Sequence, residues 1–163
     1  MKMFTSLLLT GLALLIAGCE SSEVATKTDG SATAPESHYV VDQEPAGAVP
    51  VGQARASSQD GQDITLVGVI GGSTEPFVEG LAAFTVVDPK VPHCADDEGC
   101  PTPWDYCCTQ DQVKDNVATV KIVDDSGQPV AQDAREFLNV KELSTVVVTG
   151  KAVRDDQGNL TVA

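Results

Sequence analysis

The chain is poor in the residues that carry out chemistry. Only two of its 163 residues are histidine, His38 and His93, and the aromatics Phe, Trp and Tyr amount to 4%. Histidine is the side chain that exchanges a proton near neutral pH, so acid–base chemistry here would rest on His93. No Gly-x-Ser-x-Gly elbow accompanies it, which leaves a serine hydrolase without its nucleophile. Carboxylates are abundant, but abundance does not define a catalytic pair. No catalytic residue is nominated, and the reading is non-enzymatic. Basic residues are scarce as well: 10 Lys and Arg face 24 Asp and Glu, for a net charge of −14. Such a surface repels phosphate backbones and disfavours nucleic acid as a partner. It suits a solvated extracytoplasmic surface. Beyond the first twenty residues no apolar run is long enough for a transmembrane helix.

The N-terminus has what the rest lacks. Lys2 precedes an apolar run, Leu7 to Ile16, broken only by Thr10 and Gly11. The run is short for a bilayer span and matches the apolar region of a signal peptide. It ends in Leu15-Ile16-Ala17-Gly18-Cys19. Small residues running directly into a cysteine form a lipobox, in which the thiol takes a diacylglyceryl group and cleavage leaves Cys19 as the new N-terminus. The alternative is an ordinary secretory signal with an accidental cysteine. Residues 1–18 are thus read as a lipoprotein signal peptide and Cys19 as the lipidated residue. One acyl chain of the palmitate kind anchors only marginally, at ~0.8 kcal/mol per buried methylene; two or more hold. Glu20 stands where inner-membrane lipoproteins commonly carry Asp. The predicted location is therefore the outer membrane, facing the periplasm.

About 145 residues remain after cleavage, enough for one domain and a tail. Residues 19–58 are read as a lipidated N-terminus and flexible linker. They are rich in Ser, Ala, Gly, Pro and acidic residues, and Tyr39-Val40-Val41 is their one sticky patch. The folded domain is placed at 59–163. Ile64 to Ile70 reads as a strand closed by Gly71-Gly72, which marks a bend rather than a phosphate cradle. Phe77 to Asp88 is a second strand, and Ala118 to Val123 a third, ending in the turn Asp124-Asp125-Ser126-Gly127. Ala134, Phe137 and Leu138 fall at helical spacing. Thr145 to Val153 and Leu160 to Ala163 are the fourth and fifth strands, joined by a turn at Asp155–Asn159. Three strands, a short helix and two strands predict an all-β, five-stranded OB-like Greek-key barrel. Its expected core is Ile64, Leu66, Phe84, Val86, Val120, Ile122, Leu138, Val146 and Val148. A generic β-sandwich would want more strands. The short last strand leaves little with which to close the barrel.

Cys19 set aside, four cysteines remain: Cys94, Cys100, Cys107 and Cys108, all in a polar loop spanning 89–117. An even count in an exported domain argues for disulfides. Joining neighbours Cys107 and Cys108 would need a strained ring, which favours the two pairings that link Cys94 and Cys100 to that pair. Each bond would close a short loop and contribute about 2–3 kcal/mol. The alternative is a zinc or copper site on His93, Cys94, Cys100, Cys107 and Cys108, since thiolate and imidazole suit both ions. Against it, there is no C-x-x-C spacing, and adjacent cysteines rarely share one ion. Asp96-Asp97-Glu98 lacks the spacing of an EF-hand loop and reads as a solvated acidic turn.

The segment Cys100-Pro101-Thr102-Pro103-Trp104-Asp105-Tyr106-Cys107-Cys108 resembles the most distinctive motif of exported OB-fold-like lipoproteins of the planctomycete type. Gly68 to Gly72, Glu75 to Gly80, Ala83 to Asp88 and Val146 to Lys151 are similar to their strand motifs. The resemblance runs from about Asp63 to the end. It implies a fold and a compartment and supplies no catalytic residue. The functional expectation is a membrane-anchored binding module for an envelope protein, peptide or glycan, with Trp104 and Tyr106 as contact residues. The alternative is a metal-handling lipoprotein.

Overall fold

In the computed structural model, residues 38–163 are described; the segment read as a signal peptide, Cys19 and the first part of the expected linker lie outside them. Besides two 3-10 turns in the cysteine loop, Asp96–Glu98 and Pro103–Asp105, six strands and three short α-helices follow in order. They are β1 (Val49–Pro50), α1 (Val51–Ser57), β2 (Asp63–Ile70), β3 (Ala83–Val87), α2 (Gln110–Val113), β4 (Val117–Lys121), α3 (Ala134–Leu138), β5 (Thr145–Arg154) and β6 (Leu160–Val162). Strands β2, β3, β4, β6 and β5 pair in that order, and β5 returns to β2. The result is a closed five-stranded all-β barrel of the OB type, with its helix between the third and fourth barrel strands.

Alternation drives the closure. Along β2 the residues Ile64, Leu66, Gly68 and Ile70 point inward and their neighbours outward, the period-2 pattern of a half-buried strand. Antiparallel pairing with β5 runs from Asp63↔Lys151 to Val69↔Thr145. The inner residues meet Phe84 and Val86 of β3, Ala118 and Val120 of β4, Ala152 of β5, and Leu160 and Val162 of β6. Of the expected core, Ile64, Leu66, Phe84, Val86 and Val120 are buried; Ile122, Leu138, Val146 and Val148 are half-buried at its margin. Helix α3 stands where the spacing of Ala134 and Leu138 places it. Asp133 caps it by accepting the Arg135 N–H at 2.9 Å, and Asn139 ends it in the left-handed region.

Two boundaries differ from the sequence reading. The second strand begins at Ala83, not Phe77; Phe77 makes an isolated bridge to Phe84, and Gly80 turns the chain between them. The linker expected to reach residue 58 is already structured at Val49. Strand β1 pairs in parallel with β2, and α1 buries Val51 and Ala54 completely. Pro50 precedes α1 and has no capping side chain; the buried Asp88 takes that role from the end of β3, accepting the Gly52 N–H at 2.7 Å and the Lys90 N–H at 3.0 Å. Two apolar residues three apart in a Ser- and Gly-rich stretch are too weak a period to stand out.

The barrel is thinnest at β6. It pairs with β4 only at Thr119↔Thr161 and Val120↔Val162, and with β5 at Ala152 to Arg154, extended by two bonds between Lys151 and Ala163. Among the described residues no helix is long and apolar enough to cross a membrane.

Candidate functional sites: a sulfur cluster and an apolar groove

The cysteine loop leaves the barrel after Asp88 and returns at β4. A small apolar cluster of its own seats it: Val87, Val91, Tyr106 and Val113, with Val117 against them. Tyr106 is the pillar. It is 1% exposed, and burial pushes its phenol up to about 12. This corrects its expected role, because a buried ring presents no contact surface. Trp104 is half-buried, its indole N–H donating to the Thr74 carbonyl at 3.1 Å. The Gly71-Gly72 step is the seat. A Cβ on Gly71 would lie 2.6 Å from the Trp104 carbonyl oxygen and 2.9 Å from Tyr106 Cε2, and the Gly72 N–H donates to that same oxygen at 2.8 Å.

Held this way, the loop folds its four sulfurs together. Cys94 Sγ lies 3.2 Å from Cys107 and 3.4 Å from Cys108; Cys107 lies 3.1 Å from Cys100 and 3.8 Å from Cys108. Tyr106 adopts φ 58°, in the left-handed region, just before the adjacent pair Cys107-Cys108. Cys94 is buried and the other three are partly or fully exposed, and no sulfur–sulfur bond joins any two of them here. The cluster divides its protons unequally. The Cys108 backbone N–H, then the Cys107 thiol, hold Cys94 below the ordinary cysteine value. Cys107 is pushed up by its bonds to Cys100 and Cys94, and Cys108 is pushed up by its bond to Cys94.

The sequence reading placed His93 here, and the structure does not. His93 is exposed, its ring 6.3 Å from that of Tyr106, and among the described residues it joins no group of convergent ligand atoms. Cys94 is 1% exposed while its neighbour His93 faces solvent. Two carboxylates stand there instead, Asp105 beside Cys94, Cys100 and Cys107, and Glu98 beside Cys94 and Cys108. Asp105 is held below the usual carboxylate range, first by the Thr102 hydroxyl at 2.8 Å and then by the Cys107 N–H at 2.8 Å. Glu98 accepts the Ala95 N–H at 2.7 Å.

The second site has no counterpart in the sequence reading beyond its sticky patch. Where β6 runs out, a groove opens between the end of β4 and the first half of β5. It holds two adjoining cavities of about 320 and 370 Å³. Val120, Ile122, Leu138, Val147, Val148 and Val162 line it. The segment Tyr39–Pro45 roofs both cavities, with Tyr39 edge-on to Phe137 at 5.5 Å. Tyr39 and Pro45 of the roof are half-buried toward the cavities, while Val40 at 60% and Val41 at 63% stay largely exposed. The wall is a bare strand edge. Alternate β5 residues bond to β2, and Lys151 bonds the other way, to Ala163. By that alternation Thr149 and Val147 turn their N–H and C=O groups toward the groove. Among the described residues no strand pairs with them there.

Compared with family models, curated proteins and solved structures, the chain finds no match in any of the three.

Proposed function

We propose that the chain is a lipid-anchored, extracytoplasmic binding module whose barrel receives an extended peptide segment of an envelope protein as an added strand. The groove carries this reading: an apolar slot bordered by an unpaired strand edge offers backbone bonds and side-chain pockets together, which is what strand addition requires. The chain's net charge of −14 selects a basic partner segment. The lipobox at Cys19 and the likeness of the Cys100–Cys108 loop to exported planctomycete lipoproteins support the address. The partner contact expected at Trp104 and Tyr106 moves to the groove.

The test uses the full chain in mild detergent and a labelled nine-residue peptide alternating Val and Lys, read by fluorescence anisotropy. Saturable binding is expected. A peptide of equal charge with Gly in place of Val should bind at least tenfold more weakly, since each apolar side chain buried contributes roughly 1.5–3 kcal/mol. Val147→Pro deletes one groove-facing N–H and leaves the β2 ladder intact; it should weaken binding. Equal binding of both peptides would reduce the interaction to charge and sink the groove reading.

A second reading is a metal-handling lipoprotein for zinc or copper. The observation that favours it is the meeting of four sulfurs in one loop.

A further inference from the structure

We propose that Cys94, Cys100, Cys107 and Cys108 hold one resident zinc ion, which closes the cysteine loop as a structural centre. No residue of the groove takes part, so this centre and the peptide-binding reading stand or fall separately.

The first ground is how the sulfurs are shared. Two disulfides would sort four sulfurs into two separate pairs. Here Cys107 is as near to Cys94, at 3.2 Å, as to Cys100, at 3.1 Å, and Cys94 is also 3.4 Å from Cys108. Cys94 and Cys107 are each shared between partners, and Cys94 belongs to both groups of convergent ligand atoms, one with Cys100 and Cys107 and one with Cys108. Zinc–thiolate bonds of about 2.3 Å in a tetrahedron set sulfurs about 3.8 Å apart. The contacts at 3.1, 3.2 and 3.4 Å reach that spacing by widening by about 0.7, 0.6 and 0.4 Å. A bonded pair would instead have to close from above 3 Å to about 2.05 Å.

The second ground is that the structure removes the obstacle in the sequence. Adjacent cysteines rarely serve one ion, because consecutive side chains diverge. The turn at Tyr106 and the fold of the loop bring Cys107 and Cys108 to one side, 3.8 Å apart. Cys94 reaches both of them, at 3.2 and 3.4 Å, and Cys100 reaches Cys107 at 3.1 Å.

The third ground is the donor set. Four sulfurs fill a tetrahedron and leave no open position, the arrangement of a structural rather than a catalytic zinc. Asp105 and Glu98 are already engaged by backbone N–H groups of the loop, at Cys107 and Ala95. They brace the ligands and are not needed as ligands. Thiolates select a soft or borderline ion over calcium or magnesium. Binding is proton-balanced without redox change: each thiol gives up one proton to solvent as its sulfur bonds the ion. A sulfur whose electron pair is bound to zinc is a weaker nucleophile toward disulfide oxidants, which attack requires a free thiolate to meet.

The full chain, extracted in mild detergent without chelator or reductant, decides the matter. Elemental analysis should find one zinc per chain. Alkylation in denaturant without reductant, followed by peptide mapping, should find four modified cysteines between residues 94 and 108. Two disulfides in that peptide without zinc overturn the proposal, and so does copper in place of zinc. Variants test the ligands independently of purification history. Stripped chain titrated anaerobically with Co²⁺ should take one equivalent and develop the visible bands of tetrahedral cobalt thiolate. Cys100→Ser, at a partly exposed position, should weaken zinc binding at least tenfold while the far-ultraviolet dichroism of the barrel is unchanged. His93→Ala should leave zinc affinity unchanged; a loss equal to that of Cys100→Ser would overturn the four-sulfur assignment.

Discussion

At the scale of single residues, the loop's position is set by what is missing at Gly71. Its φ is ordinary, so conformational freedom is not the reason for glycine there. The reason is space: a methyl group would meet the Trp104 carbonyl at 2.6 Å and the Tyr106 ring at 2.9 Å. The carbonyl is backbone, pinned by the Gly72 N–H, and cannot rotate away. Gly71→Ala should therefore destabilise the domain by about 1–3 kcal/mol, as overpacking does. The loss should be read by urea unfolding, with faster proteolysis inside 89–117 than elsewhere. Cleavage spread evenly over the chain would show that Gly71 supports the barrel rather than the loop. The same scale explains which candidate residues were legible. Four cysteines in one loop are visible in any reading of the chain, and so is their even number once Cys19 is set apart. That Tyr106 is a pillar and His93 a bystander is not visible, because which way a loop residue faces is decided by tertiary contacts, here the seat at Gly71 and the pocket of Val87, Val91 and Val113.

At the scale of elements, α3 is secured to the barrel through Arg135. Its guanidinium lies 4.1 Å from the centre of the Phe77 ring and donates to Glu142 at 2.8 Å, just before β5 begins. Burial pushes the Glu142 carboxyl up, but the Arg135 guanidinium and its own backbone N–H outweigh this and hold it below its ordinary value of 4.5. A carboxylate lowered in the folded state binds its proton later than in the unfolded chain. Its contribution is therefore present above 4.5 and lost as pH falls through the folded value. Glu142→Gln should cost up to about 1 kcal/mol at pH 7, the scale of a largely solvated pair. At pH 2 it should cost nothing against the wild type. An equal deficit at both pH values in urea unfolding would mean that packing, not charge, is what Gln disturbs. Elements were the most legible level of this chain. Alternation announced β2 and β5, and turn chemistry announced their ends: Asp124 accepts from Ser126 and Gln128, and Asp155 from Gln157 and Asn159, as those turn sequences imply. What stayed hidden was short or non-local. Helix α1 shows two buried residues, and its cap is Asp88, thirty-six positions from Gly52. The groove exists only because β6 is brief where β5 is long, a mismatch between elements that no single segment displays.

At the scale of the whole molecule, the lipid proposed on Cys19 and the acidic charge of the chain would answer to different forces. Attachment through the proposed lipid would rest on apolar burial, at ~0.8 kcal/mol per methylene, and would be indifferent to salt. The proposed recruitment of a basic peptide by a chain of net charge −14 would rest on a field that falls off within about 8 Å at physiological ionic strength. The two are separable by one substitution at a residue remote from the barrel in sequence. Cys19→Ala removes the sulfur that would carry the diacylglyceryl group. Metabolic labelling with a palmitate analogue should mark the wild type and not this variant. The wild type's intact mass should correspond to a chain starting at a modified Cys19, whereas the variant should keep residues 1–18 or lose them only to ordinary signal cleavage. Peptide binding by the variant, measured in the same detergent, should be unchanged. An unlabelled wild type with an unmodified thiol at Cys19 would end the anchor assignment, and the groove and the sulfur cluster would then have to be reconsidered in a freely diffusing protein.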